Sequence, residues 1–232
     1  MSYVLGIDTA TAVLGVAVVG KDGLLAERST LGERLHSVRL IPFIQDLLVE
    51  AGIALRDLTG IAVSIGPGSF TGLRLGLTAA KTLAQALDLP VVGVPTLLAL
   101  AAPLLPGGIP VCPVLTSRRS EAYAAVYQQN GQGVKTAVMP FAAPPSGVSA
   151  RLTPFRRVIL AGEGAWTFRA ELKEMLQGKA VFTPKIFSHP RGAVVADLGL
   201  KELAAGGGAD PFSLVPEYLR PPAITGGTPC EG

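Results

Sequence analysis

Two polar clusters in this sequence could bind phosphate, and each of them directly follows an apolar run. The first cluster contains Asp8, Thr9 and Thr11, after the apolar residues 4–7. A carboxylate here could hold a magnesium ion through water, while hydroxyl and backbone N–H groups could hold a phosphate. The same side chains could instead close a short turn within a hairpin. Asp8, Thr9 and Thr11 therefore form a candidate phosphate loop.

The second cluster is the glycine-rich run GPGSFTG at residues 66–72, between a predicted strand and a predicted helix. A helix N-terminus offers free N–H groups that could take an anion. The run lacks the Gly-Lys-Ser/Thr of a P-loop, so it favours a tight structural turn over a phosphate site. Ser69 or Thr71 is predicted to cap the helix by accepting a backbone hydrogen bond.

Other reactive residue types are few and dispersed. His36 and His189 are the only histidines, and neither has a His, Cys or carboxylate at metal-ligand spacing. Cys112 and Cys230 lie far apart and form no Cys-x-x-Cys pair. The sequence therefore predicts no metal site, no catalytic dyad and no disulfide. For His36, a capping or partner-contact role is favoured over catalysis.

Composition indicates a globular protein with a large core. Of the 232 residues, 49% are apolar and 16% are charged, which suits one large domain or two small ones. A net charge of +3 permits contact with RNA without requiring it. No apolar run reaches the roughly 18 residues of a membrane span, and residues 1–3 resemble no signal peptide. We predict a cytoplasmic protein that does not enter the membrane.

The first half predicts a three-stranded meander followed by a βαβ unit. Strands are expected at residues 4–8, 13–19 and 24–30, with Asp22 and Gly23 in a hairpin turn. Helices are expected at about residues 33–51 and 71–87, and strands at 61–65 and 91–94. In the second helix Gly72, Gly76 and Ala80 recur at helical spacing, which allows another backbone to approach closely, within the chain or across subunits.

The second half repeats this pattern in a weaker form. Three strands are predicted at residues 111–115, 121–128 and 134–139, and residues 142–154 are predicted to form a loop. A further strand is expected at residues 158–161. Helices are expected at residues 165–176 and 192–205. We predict two lobes, at residues 1–105 and 106–220, followed by a flexible tail at 221–232.

Residues 66–74, GPGSFTGLR, resemble the signature GPGSFTG[VL]R of the TsaB (YeaZ) family. Residues 6–11, 36–48, 90–96, 121–123 and 216–220 add to the resemblance. That family belongs to the ASKHA superfamily of actin-like ATPase folds. The resemblance implies an α/β, duplicated ribonuclease-H-like fold with two lobes of mixed sheets flanked by helices, the second lobe being reduced.

The resemblance also implies a function in making threonylcarbamoyladenosine in tRNA, beside the anticodon. In that pathway the catalytic subunit is the homologous TsaD, which transfers threonylcarbamoyl from an adenylate made by TsaC. TsaB is its non-catalytic partner, and an ATPase, TsaE, joins the two. The expected partners are therefore TsaD in a heterodimer, TsaE in a larger complex, and tRNA through the complex.

Two positions indicate which of the two homologues this chain resembles. TsaD carries a His-x-x-x-His metal pair, and the aligned residues here are Thr96 and Leu100. TsaD also carries a Ser-Gly-Gly-His phosphate turn, where this chain has TSRRS at residues 116–120. Without a glycine pair, phosphate cannot approach that backbone closely. We predict a pseudoenzyme with a vestigial phosphate loop and no required cofactor, with weak nucleotide binding left open.

The two helices at residues 33–51 and 71–87 are predicted to bind TsaD, or a second copy of the chain in a symmetric dimer. The predicted interface residues are His36, Leu40, Ile44, Leu47, Phe70, Gly72, Arg74, Gly76 and Ala80. The alternative is an ATP-dependent phosphotransferase or ATPase that uses Asp8 and Thr11. A protease is disfavoured because no nucleophile–base pair is evident, and direct RNA binding through Arg118, Arg119, Arg156 and Arg157 remains open.

Overall fold

Two five-stranded mixed sheets form the centres of the two lobes in the computed structural model, which describes residues 2–118, 120–131 and 133–220. The first sheet contains β1 (Tyr3–Asp8), β2 (Val13–Gly20), β3 (Gly23–Leu31), β4 (Gly60–Gly66) and β5 (Val91–Pro95). The second contains β6 (Val111–Arg118), β7 (Glu121–Asn130), β8 (Gly133–Ala143), β9 (Val158–Ala161) and β10 (Ala180–Phe182). The tail predicted for residues 221–232 lies outside the described residues.

The two sheets have the same topology. The first has the order β3-β2-β1-β4-β5, and the second, read from its opposite edge, has the order β8-β7-β6-β9-β10. In each sheet the first three strands are antiparallel, and the last two run parallel to the first. The duplicated ribonuclease-H-like fold is therefore confirmed. The second lobe is reduced, with β9 and β10 only four and three residues long.

Helices cover the sheets. They are α1 (His36–Ala51), α2 (Phe70–Leu87), α3 (Thr96–Ala101), α4 (Pro145–Leu152), α5 (Glu163–Thr167), α6 (Arg169–Leu176) and α7 (Gly192–Ala204). Leu5 and Ile7 of β1 point into the core beneath α1 and α2, and Val4 points into the core beneath α7. Because helices lie on both faces of the first sheet, β4 is buried along its whole length. None of the helices in the described ranges has the length and apolarity that a membrane crossing needs.

The prediction that all of residues 106–220 belong to the second lobe is wrong for the last part of that range. Helix α7 packs against β1, β2 and β4 of the first sheet, and Val195 joins Val4 and Ala62 in the core of the first lobe. Ala209 then pairs with Val91 on the outer edge of β5. The first sheet needs a cover on its second face, and this helix, distant in sequence, provides it.

One local prediction in the second lobe is also wrong, and one strand was missed. Residues 142–154 were expected to be a loop because of their prolines, yet they contain α4, which begins at Pro145. Proline is well tolerated in the first turn of a helix, where its missing N–H has no intrahelical partner. Val148 and Leu152, four residues apart, then bury one face of this short helix. The three-residue strand β10 was not predicted.

Candidate functional site

The glycine-rich loop at residues 66–69 joins β4 to α2. The Ser69 hydroxyl accepts a hydrogen bond from the Gly72 N–H at 3.3 Å, which confirms Ser69 as the helix cap. The Ser69 N–H donates in turn to the Ala10 carbonyl at 2.8 Å. The start of α2 is therefore bound to the β1–β2 loop of the same chain.

Two glycines of α2, Gly72 and Gly76, face this β1–β2 loop. A Cβ on Gly72 would overlap the Thr9 carbonyl oxygen, and a Cβ on Gly76 would overlap Thr9 Oγ1. Thr9 Oγ1 also donates to the Gly72 carbonyl at 2.7 Å. The prediction that Gly72, Gly76 and Ala80 form a docking face is corrected: the glycines admit Thr9, and Ala80 is fully buried in the core of the first lobe.

We expect Gly76→Ala to destabilise the fold by about 1–3 kcal/mol through this overlap, despite a gain of about 1 kcal/mol in helix propensity. In a Thr9→Ala background, the same change should be neutral or stabilising, because the remaining neighbours of the new Cβ lie at 3.5 Å. Urea denaturation of the four chains gives the coupling energy. Gly107→Ala, which meets nothing within 4 Å, is the control. Strictly additive effects of Thr9→Ala and Gly76→Ala on stability would contradict the close contact between Thr9 and Gly76.

The apolar residues predicted for the interface on α1 are also interior. Leu40, Ile44 and Leu47 are exposed by 3% or less and belong to the core of the first lobe. They cannot contact a partner unless the lobe opens, so their assignment to the interface is corrected. The helical periodicity identified the buried face of α1. His36 is also buried, although it lines a groove described next.

The outward faces of α1 and α2 form a different surface. Val38 and Ile41 of α1 are 66% and 47% exposed. A groove of about 310 Å³ runs between the starts of the two helices, where Ser37 and Leu75 contribute to its lining. Ile41 lies one turn after Ser37 and continues that side of the helix. We call Val38, Ile41, Phe70, Arg74, Leu75 and Tyr218 the α1–α2 surface.

An aromatic and guanidinium cluster forms one end of the α1–α2 surface. The Arg74 guanidinium carbon lies 4.0 Å from the centroid of the Phe70 ring. The Phe70 and Tyr218 ring centroids are 5.2 Å apart, and Arg74 Nε lies 3.4 Å from the Tyr218 hydroxyl. Tyr and Arg side chains are the types most enriched at energetically important contacts between proteins. Phe70 and Arg74 thus remain predicted interface residues.

Tyr218 is held in place by a C-terminal strap, residues 214–220. The Lys81 ammonium donates to the Leu214 carbonyl at 2.9 Å, and the Glu217 N–H donates to the Ile65 carbonyl at 2.8 Å. Arg220 then pairs with Glu121 of the second lobe at 2.8 Å. The strap therefore connects the α1–α2 surface to the second lobe. Its contribution to the site was not foreseen, although residues 216–220 carried part of the family resemblance.

The hydroxyls of the candidate phosphate loop are engaged within the chain. Thr9 Oγ1 donates to Gly72, as described, and Thr11 Oγ1 lies 3.1 Å from His189 Nδ1. Thr11 Oγ1 also accepts from the Val13 N–H at 3.4 Å. Burial lowers the pKa of His189, and the Glu163 carboxylate acts against this decrease. The structure thus brings Thr11 and His189 together. This contact could not be predicted because the two residues are far apart in the sequence.

Asp8 lies at the carboxyl end of β1 and is fully buried. Neither of its carboxyl oxygens makes a hydrogen bond of normal geometry among the described residues. Burial raises the pKa of Asp8 to about 7, and the nearby Ser64 hydroxyl and Ala10 N–H offset only part of the increase. A protonated, neutral Asp8 is therefore well populated near neutral pH.

A cleft of about 460 Å³ lies between the lobes and is lined by Thr11, Ser69, Thr116, Tyr123, Glu163 and His189, but not by Asp8. On the second lobe, Glu163 Oε1 accepts hydrogen bonds from the Thr116 N–H at 2.6 Å and the Thr116 hydroxyl at 2.7 Å. A carboxylate of the chain itself thus binds the Thr116 N–H and hydroxyl near the end of β6, two donors that could otherwise bind an anion, and we call this the anion position. No cluster of three or more His, Cys, Asp or Glu that could hold a metal occurs in the described ranges.

Comparison with known sequences gives a consistent set of relatives. A family model described as TsaD, tRNA N6-adenosine threonylcarbamoyltransferase, matches residues 29–205. The tRNA threonylcarbamoyladenosine biosynthesis protein TsaB of Bacillus subtilis is 33% identical over 223 residues, which is 94% of this chain and 93% of that protein. TsaB of Escherichia coli is 38% identical over 133 residues, covering 56% of this chain and 57% of that protein.

Comparison with solved structures gives the same family. YeaZ from Pseudomonas aeruginosa superposes with a TM-score of 0.81 at 30% sequence identity, covering 94% of this chain and 100% of that chain. The match therefore includes both lobes. The ethanolamine utilization protein EutJ from Carboxydothermus hydrogenoformans shares the fold, with a TM-score of 0.52 at 14% sequence identity.

Proposed function

The chain belongs to the TsaB (YeaZ) family, and on that premise we propose that it is the non-catalytic subunit that pairs with TsaD and supports threonylcarbamoyl transfer to tRNA. Its relatives are named for tRNA threonylcarbamoyladenosine biosynthesis, and we assign this chain to the same pathway. In this proposal TsaD performs the chemistry. The chain described here binds and activates it, and TsaE joins the pair.

The α1–α2 surface is the observation that carries this proposal. It combines the exposed aliphatic residues Val38 and Ile41 with the stacked Phe70, Arg74 and Tyr218. Apolar and aromatic groups next to a guanidinium are typical of the central part of a protein interface. The same surface could pair with a second copy of the chain when TsaD is absent, and TsaD would then compete with that dimer.

The internal bonding of the interlobe cleft supports a non-catalytic role over the alternative of a phosphotransferase or ATPase. Thr9 and Thr11 are engaged within the chain, and Glu163 occupies the anion position beside Thr116. A phosphate would have to displace a carboxylate and would meet its negative charge. Calorimetry with Mg-ATP tests this point. Micromolar binding that is lost in Asp8→Ala would favour the enzyme and contradict the proposal.

The two positions aligned with the metal pair of TsaD give further support. Thr96 is fully buried, and Leu100 packs in an apolar cluster with Leu97 and Leu105. Neither aliphatic packing nor a single hydroxyl provides the ligands of a transition metal. Hence the proposal assigns no metal and no required cofactor to this chain.

Sedimentation of the purified chain with and without TsaD tests the pairing. We expect a one-to-one complex with TsaD, a larger assembly when TsaE is added, and binding of tRNA by the assembly. As part of a tRNA-modifying complex, the chain is proposed to act in the cytoplasm. Failure of the chain and TsaD to associate at micromolar concentrations would contradict the proposal.

A further inference from the structure

The second lobe carries the positive charge of this protein. Residues 106–182, which end with β10, contain nine Lys and Arg against four Asp and Glu, whereas residues 1–105 and 183–220 together contain 11 against 12. Between Glu121 and Glu163 there is no acidic residue, although four cations occur there. Their positions in the fold show which of these cations lie close together.

Three of the cations meet at the amino ends of two neighbouring parallel strands. Arg156 and Arg157 immediately precede β9, and Lys179 immediately precedes β10. The Val158 N–H donates to the Lys179 carbonyl at 3.0 Å, and the Lys179 ammonium donates to the Thr153 carbonyl at 3.1 Å. The loops before these strands therefore lie side by side.

A fourth cation extends this cluster across the sheet. Lys135 pairs in register with Gln128 close to the β7–β8 turn. Because β7 runs antiparallel to β6, that turn lies at the same edge of the sheet as the starts of β6, β9 and β10. We call Lys135, Arg156, Arg157 and Lys179 the cationic edge. With strands about 4.8 Å apart, it spans roughly 19 Å across five strands.

Among the residues that the structure describes, no carboxylate forms an ion pair with the cationic edge. Lys135, Arg156 and Arg157 are exposed, and Lys179 is half-buried. The ion pairs among the described residues use Glu27, Asp46, Glu50, Glu121 and Asp197, all at other places in the fold. Three of these cations lie at one end of an edge about 19 Å wide and the fourth lies at the other end, with no cation at the intervening ends of β6 and β7. This spacing fits an extended anion whose charges repeat along its length, as in a nucleic acid backbone.

The cationic edge is also separated from the other sites. The carboxyl end of β6 lines the interlobe cleft through Thr116, so the amino ends of the same sheet face away from the cleft. The α1–α2 surface belongs to the first lobe. A polyanion could therefore bind the cationic edge while a protein partner occupies the α1–α2 surface.

We propose that the cationic edge binds the phosphate backbone of RNA, and that in the assembly it holds the tRNA whose adenosine is modified. The first part depends only on the charges described above, and the second rests on the proposed function. Contacts to phosphates position an RNA without reading its sequence. The edge should accordingly contribute affinity and not specificity.

The test compares tRNA binding by the full chain and by the triple variant Arg156→Ala, Arg157→Ala and Lys179→Ala. We expect the affinity at 50 mM salt to fall at least tenfold, and the slope of log K against log salt to decrease by about 2–3. The matched control replaces three exposed cations elsewhere, Lys21, Arg56 and Lys185, by Ala. If the triple variant does not fold, the double variant Arg156→Ala and Arg157→Ala decides, with a smaller expected change.

An unchanged affinity and salt slope would overturn the proposal, as would an equal loss in the control. Loss of TsaD binding with unchanged RNA binding would also overturn it, since the edge would then be a protein contact. A chain with Val38→Asp and Ile41→Asp should keep its tRNA affinity while losing TsaD. Failure of the cationic edge and failure of the proposed pairing are thus distinguishable.

Discussion

Replacing Val38 and Ile41 together by Asp is expected to weaken the complex with TsaD at least 100-fold. Both side chains are exposed in the single chain, so the fold should tolerate the change. In a complex, each carboxylate would be buried without a partner, which costs about 3–5 kcal/mol where burial is complete. A 100-fold loss requires only about 2.7 kcal/mol. Sedimentation equilibrium or calorimetry with TsaD measures the effect.

The control for this variant is Met139→Asp on β8. Met139 is 71% exposed, close to the 66% of Val38, but it lies in the second lobe. The Met139→Asp substitution should leave TsaD binding unchanged. This control and the Val38 and Ile41 double variant should both unfold at the same temperature as the unmodified protein. Equal binding of TsaD by the Val38 and Ile41 double variant would mean that the α1–α2 surface is not the interface.

Asp8→Asn is expected to remove a large pH dependence of stability. An unfolded Asp8 ionises near its ordinary pKa of 3.8, whereas burial raises the pKa to about 7 in the folded chain. Between these values the folded state retains a proton that the unfolded state has lost, so stability falls as the pH rises. A shift of this size corresponds to about 4 kcal/mol in total, lost between about pH 4 and pH 7. The Asn side chain of the variant does not ionise in this pH range, so this contribution is absent.

Urea denaturation at pH 5 and pH 8 measures this effect. The stability of Asp8→Asn relative to the unmodified chain should increase by about 3 kcal/mol between the two pH values. Taking the difference at each pH cancels the contribution of His189, whose pKa is lowered and which acts in the opposite direction. A difference that does not change with pH would mean that Asp8 is ionised in the folded chain at pH 5.

The succession of strands along the chain and most of the helices could be predicted because their signals are local. Apolar runs, the Asp22–Gly23 turn and the β4–α2–β5 unit each depend on a few neighbouring residues. The repetition of the same pattern then indicated the duplication. The short elements α4 and β10 were not predicted. The prolines of α4 indicated a loop, and β10 has only three residues.

The site was harder to predict because it depends on contacts between distant residues. Periodicity identified a small-residue face on α2, but it could not show that Thr9, 63 residues before Gly72, fills it. Likewise, Tyr218 reaches Arg74 across 144 residues, and His189 reaches Thr11 across 178. Apolar residues on α1 were assigned to a partner when the core of their own lobe required them. Exposure, which decides between these two roles, is a property of the folded chain.

The most direct test of the proposed function is the rate at which TsaD modifies tRNA. With TsaE, tRNA and threonylcarbamoyl-adenylate supplied, TsaD should be nearly inactive alone and active when this chain is added in equal amount. Asp8→Asn should activate as well as the unmodified chain, and the Val38 and Ile41 double variant should not. Full activity of TsaD without the chain, or loss of activity in an Asp8→Asn chain that still binds TsaD, would contradict a non-catalytic partner.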